Sequence, residues 1–536
     1  MSNTGRRWVL VAVAFVAVAT SAVVGFAISN INSAVESTDV SAGGETSRED
    51  SASMVEPPPA SIRAPEAPED TQVSERRLLY PAGDIATFSE RMTGNGPFYK
   101  TGDTHFGGPH SPNDGETANS FAQEFLADPG ATYWTQPDLP FSNGDPWPEE
   151  SSYLLPMHAA WVYMTVPGHP NREDLESELK LLLLHQATDP SHTFADSEKY
   201  PITYENYAPS PIFGHAPWMT RLIKSRDMLG RNVFTPSENE TIDQWFYDYA
   251  NWAFNWLHHE QYAKRLPKRE ARDYSEIESS ADPERHSYDG GPQIGFLAMD
   301  YTNRHAYVAS AASLAANYLT FHDFEPSTNG IPDYGHFTVD QLLEHSRLFA
   351  EETIRFSVYP EGFQGDFERG DLDFHSADNS NVFPQRGWMY SMDVLVNLLD
   401  IASYHAARGD LSVWDYGTTD GLEGTSGKPT VGDFPEKNLH FFAWSMLRYL
   451  NGAWERTNFG EPLALSDHYH GVIHAAIASR FAPGDQLFRD AWRRSGSDFP
   501  PYPSSPIPQG IYHAHRGGYG RYIGVIEQAG ASNFGE

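Results

Sequence analysis

The chain has 536 residues, a formal net charge of −35 and no cysteine. That balance argues against nucleic acid as a partner. The missing thiols exclude disulfides, a cysteine nucleophile, cysteine-ligated zinc and a lipid anchor on cysteine. About 460 residues after the N-terminal region are enough for one large domain.

Arg6 and Arg7 precede an uncharged, mostly apolar stretch from Trp8 to Ile28. Positive charge before an apolar run predicts export of the downstream chain. The length suits an uncleaved membrane anchor, and the small residues Gly25 and Ala27 suit a cleaved signal equally. Residues 29–75 are rich in Ser, Glu, Ala and Pro, lack aromatics and are expected to be a disordered tether. Residues 76–536 are expected to form the globular domain.

The segment from Gly96 to His110 is Gly-rich and carries Lys100 and His105. It reads either as a plain surface loop or as a lid over a binding cleft, where those two residues would touch substrate. Helices are expected at 153–165, 172–188 and 216–229, with Gly230 placed to end the third. Thr235-Pro236-Ser237-Glu238 is a capping box with proline at the first helical position. It leads into Ile242, Trp245, Phe246, Tyr249, Ala253, Trp256 and Leu257 at helical spacing. Residues 265–300 read as loop. Further helices are expected at 304–320, from Thr338 to Ile354, at 386–408, 437–453 and 467–481. Residues 410–435 read as loop, and Gly510 to Ile526 as a small hairpin or sheet. The expected fold is mainly α, an (α/α) toroid or barrel of helix pairs with minor β near the C-terminus. No run of apolar strands alternates with the helices, which disfavours a βαβ fold.

Two short segments carry the chemistry. Tyr301-Thr302-Asn303-Arg304-His305-Ala306-Tyr307 opens the apolar run Val308–Leu319. About sixty residues later come Tyr359-Pro360-Glu361-Gly362, then Glu368-Arg369-Gly370 and His375. Cutting a uronate polymer by β-elimination needs a base for the C5 proton. It also needs a group that neutralises the neighbouring carboxylate, and an acid for the leaving oxygen. Asn303, Arg304, His305 and Tyr307 offer an amide, a cation, an imidazole and a phenol at a helix start, where free N–H groups favour an anion. Taken alone, the cluster also reads as a helix cap with solvated neighbours, Arg369 as a surface ion pair and His375 as a core histidine. The following helix adds Trp388 and Tyr390, which read as core aromatics or as sugar-stacking rings.

In order and layout, over roughly residues 150–415, these segments resemble the alginate-lyase-type polysaccharide lyases. That family carries Asn-Asn-His before an Ala-rich helix, then an Arg-Gly pair and a Tyr-His segment. Here Thr302-Asn303-Arg304-His305 stands for the first, so the family's His position falls on Arg304 or His305. Asp373-Phe374-His375 stands for the last, and Phe374 cannot give a proton, so Tyr390 or Tyr307 would supply the phenol. The resemblance implies a divergent lyase for alginate, glucuronan or a similar anionic polysaccharide. Asn303, Arg304, His305, Arg369, His375 and Tyr390 would be catalytic, and Tyr307, Trp388, Lys100 and His105 would bind substrate. An inverting glycoside hydrolase using Glu368 and Asp373, or a glycan-binding protein without activity, fits the same fold. No cofactor and no metal are expected. His258-His259-Glu260, Asp467 to His470 and Tyr512 to Arg516 lack a dependable ligand spacing, and neither a Gly-x-Ser-x-Gly elbow nor a dinucleotide fingerprint occurs. The sequence leaves the oligomeric state open.

Overall fold

The computed structural model describes residues 76–80, Ile85, Ser89, 118–132, 155–194, 211–257, 303–327, 335–365, 386–422, 434–448, Ala478, Phe481, Ala482 and Asp485. At 118–121, 131, 191, 211–214, 217, 304, 386–390 and 447–448 only the backbone is described. The expected leader, the tether, the 265–300 loop and the C-terminal hairpin lie outside these residues.

The described part is mainly helical. In chain order the helices are α1 (Ala118–Ala127), α2 (Leu155–Thr165), α3 (Arg172–Thr188), α4 (Pro211–Leu229), α5 (Pro236–Leu257), α6 (Asn303–Phe321), α7 (Val339–Ser357), α8 (Arg386–Ala407), α9 (Ser412–Asp415) and α10 (Leu439–Arg448). Two two-residue strands, β1 (Gly417–Thr418) and β2 (Lys437–Asn438), pair antiparallel. The 410–435 segment expected as loop thus holds a short helix and a strand. Helix α1 was not anticipated, and α4 begins five residues earlier than its periodicity indicated. Among the described residues no helix is long and apolar enough to cross a membrane.

The caps form as the sequence requires. The Glu238 carboxylate accepts from Thr235 N at 2.7 Å, and Glu238 N donates to Thr235 Oγ1 at 3.3 Å. Thr338 and Gln341 repeat the arrangement ahead of α7. Gly230 ends α4 with φ 83°, a left-handed conformation that costs a side chain and not glycine.

Helix α6 is the hub, packed by α4, α5, α7 and α8. Its composition explains this. Ala306, Ala309, Ala311, Ala312, Ala315 and Ala316 are all completely buried, and methyl side chains let four neighbours approach one axis closely. Larger side chains on those neighbours, such as Trp245, Phe246, Phe254 and Leu399, fill the remaining space.

Named contacts fix the helix directions. At the start of α6 and α8 Tyr307 meets Asp393, and at their ends Asn317 meets Arg408, so these helices run parallel. Helix α5 runs against α4 and α6. Its last turns carry Trp252 and Trp256, beside His215 of α4 and His305 of α6. Helix α7 runs against α8, because Gln364 just beyond α7 bonds Ser391 in the second turn of α8. One end of the bundle therefore gathers the N-terminal turns of α4, α6 and α8 with the C-terminal turns of α5 and α7.

The opposite end is tied by charge. The Arg226 guanidinium donates to Gly230 O at 2.9 Å and to Asn239 Oδ1, and Arg231 pairs with Asp243. The arriving chain docks here as well. Leu78 N and Leu79 N donate to the two oxygens of Asp227 at 2.8 and 2.7 Å, and Arg77 Nε donates to Met228 O at 3.2 Å.

Candidate functional site at the N-terminal ends of three parallel helices

Asn303 is the first residue of α6 and is buried, 8 % exposed. His305, two residues on, is equally buried. A two-residue step turns about 200° round a helix, whereas a four-residue step returns to the same face. Asn303 and Tyr307 thus share one face and His305 another. The contacts agree. The His305 ring stacks on Trp256 of α5, with centroids 5.4 Å apart and planes at 20°. Tyr307, only partly buried, turns to α8 and donates its Oη proton to Asp393 Oδ1 at 3.3 Å.

A second imidazole packs on the neighbouring indole of α5. His215 near the start of α4 is fully buried and edges onto Trp252 at 5.6 Å and onto Phe194 at 5.5 Å. Trp252 and Trp256 are one turn apart on α5 (about 6 Å along its axis), so each indole carries one imidazole.

The Tyr359-Pro360-Glu361-Gly362 segment is a tight turn at this same end. Tyr359 N donates to Phe363 O and Gly362 N to Tyr359 O, both at 2.8 Å, and Val358 bridges Gln364. Gly362 has φ 84°, and a Cβ there would meet Ser445 Oγ at 2.2 Å. Only glycine passes beneath α10 at this point. Gln364 Nε2 donates to Ser357 Oγ at 2.7 Å, and its Oε1 accepts from Ser391 Oγ at 3.1 Å. This clamps the turn against the start of α8.

Asn303, His305 and Tyr307 lie in the first turns of α6 at one end of the bundle, on two faces. Arg304 follows in the helix. Trp388 and Tyr390 lie in the first turns of α8, at the same end, where only the backbone is described. Lys100, His105, Arg369 and His375 lie outside the described residues, as do Glu368 and Asp373. Sequence reasoning missed His215, Trp252 and Asp393. Asp393 had a legible signal, being a lone acid among Met392, Val394, Leu395 and Val396. His215 had none, since a histidine in an apolar helix is ordinary core by pattern.

Among the described residues no group of three or more His, Asp or Glu is placed to hold a metal ion. Compared with family models, curated proteins and solved structures, the chain matches none.

Proposed function

We propose that this protein is a polysaccharide lyase, a carbon–oxygen lyase that cuts a uronate-containing polymer by β-elimination. In this reading the helix pairs described above continue round into a double-layered α/α toroid, and the chain is exported, held by an N-terminal anchor or released. The observation that supports it best is that Asn303 and Tyr307, four residues apart at a helix start, share one face of α6.

Elimination must stabilise the negative charge that builds on the uronate carboxylate as C5 loses its proton. The Asn303 amide and the N–H groups at the start of α6 are of the donor type that charge needs. A phenol one turn further along is within reach of the C5–C4 edge of the same sugar. His305, flat against Trp256, fits an orienting or subsite role better than that of base.

The test is incubation of the full chain with alginate, glucuronan, polygalacturonate and hyaluronan. Appearance of an ultraviolet-absorbing unsaturated uronate supports the reading. New reducing ends without that absorbance would replace it with a hydrolase.

A further inference from the structure

We infer that Asp393 is a positioning residue behind Tyr307, and that Tyr307 is the group that moves the proton. This rests on the lyase reading and deepens it.

Three observations carry the inference. First, Tyr307 is the residue on the Asn303 face one turn along α6, so the carboxylate donor and the phenol address one sugar together. Second, Tyr307 is partly exposed, while Asp393, the partner of its hydroxyl at 3.3 Å, is only 6 % exposed. A partly exposed phenol thus has its hydroxyl against a nearly buried carboxylate. Third, the Asp393 turn is fixed, because Asn397 Nδ2 donates to Asp393 O at 2.8 Å. A separation of 3.3 Å is long for an O–H···O bond, and such contacts tighten when substrate fills the site.

The proton accounting closes on these two residues. The C5–H bond breaks, and its electron pair becomes the C4–C5 double bond. The proton goes to Tyr307 Oη as the phenolic proton passes to Asp393 Oδ1. The C4–O bond breaks with its electron pair on oxygen. That oxygen takes a proton from Tyr307 Oη, which regains its own from Asp393. The products are one unsaturated uronate end and one free hydroxyl, and both residues end as they began.

The experiment compares wild type, Tyr307→Phe, Asp393→Asn and Asp393→Glu as full chains, on whichever of the four polymers wild type converts. Asp393→Asn is expected to lower kcat by about tenfold to a hundredfold with KM nearly unchanged, and to retain activity mainly at alkaline pH, where the phenol ionises unaided. Asp393→Glu restores part of the loss, and Tyr307→Phe loses at least as much as Asp393→Asn. Ultraviolet difference titration reads the pair without any substrate. One phenol, missing in Tyr307→Phe, should ionise at lower pH in Asp393→Asn than in wild type, because the neighbouring carboxylate opposes a phenolate. Wild-type lyase activity with Asp393→Asn unimpaired overturns the inference and leaves the lyase reading standing. No product from wild type on any polymer removes the lyase reading and, with it, the proton-transfer role. An unmoved Tyr307 titration overturns the pairing itself. Should Asp393→Asn fail to fold, full activity in Tyr307→Phe overturns the inference alone.

Discussion

His405 Nδ1 lies 2.8 Å from Asp410 Oδ2, and Nε2 of the same ring lies 2.9 Å from Ser346 Oγ. The order serine–histidine–aspartate is that of a nucleophilic relay, yet the surroundings give it another role. Ser346 is fully buried and its hydroxyl also reaches Ser313 Oγ at 2.7 Å. The chain of bonds joins α6, α7, α8 and the turn after α8, and it acts as a polar staple through the core. The hydrogen bond from His405 holds the Asp410 carboxyl well below the usual carboxylate range.

Asp410→Ala should therefore destabilise the fold by about 1–3 kcal/mol, because it leaves a buried ring N–H without its acceptor. The sign with pH comes from the depressed value. The stabilisation is present above the ordinary carboxylate value of 3.8 and is lost as pH falls toward the folded one. Urea midpoints measured from pH 7 down to pH 3 should fall more steeply for wild type than for Asp410→Ala.

Asp227 should show the opposite slope. Burial pushes its carboxyl up from 3.8 to about 6, against the Leu78 and Leu79 amides, which favour the charge. Between those values the folded state binds a proton that the unfolded chain does not. Stability is then lost as pH rises through about 6, by on the order of 3 kcal/mol at most. Thermal unfolding at pH 4, 5, 6 and 7 should show this decline in wild type and a flatter curve in Asp227→Asn.

Two glycines separate conformational strain from collision. Gly421 has φ 92°, and a Cβ there would stand 2.1 Å from Arg355 O. Gly409 has φ 85° with nothing within 4 Å. Gly409→Ala should cost only the left-handed backbone penalty, about 1 kcal/mol. Gly421→Ala should cost several-fold more, since backbone must move as well. Melting temperatures of the two variants side by side decide it.

On the proposed lyase reading, Asn303→Ala should lower kcat on the order of 100-fold with a modest change in KM, because the charge on the uronate carboxylate would grow only in the transition state. His305→Ala should do less harm than Tyr307→Phe, given that His305 faces Trp256. Steady-state kinetics on the responsive polymer rank the three. A His305→Ala loss exceeding that of Tyr307→Phe would return the base to the imidazole.

Much of the fold was legible because local rules and tertiary packing agree here. The capping boxes at Thr235 and Thr338 and the terminator Gly230 mark helix boundaries by backbone chemistry alone. The alanine run of α6 announced a helix that neighbours crowd from all sides. The start of α4 was missed although Ser210-Pro211 carries the signal also seen at Thr235-Pro236, a capping residue before proline at the first helical position; the apolar periodicity emerges only from Trp218 onward. At the site, the sequence placed Asn303, Arg304, His305 and Tyr307 at a helix start but did not separate the face of Asn303 and Tyr307 from that of His305. It could not give Asp393, which is 86 residues away from Tyr307 in sequence. Only the parallel course of α6 and α8 brings the two together. The same holds for the two indoles, whose ring partners come from different helices.

The grip of Asp227 on Leu78 and Leu79 marks one pole of the helix bundle. Asp227 lies near the end of α4 and His215 near its start, and a helix of 19 residues is about 28 Å long. Residues 77–79 thus dock on the bundle at the pole remote from Asn303 and Tyr307. The two poles of the bundle thus carry opposite chemistry: a buried carboxylate holding backbone N–H groups at one, and the first turns of α6 and α8, with Asn303 and Tyr307, at the other.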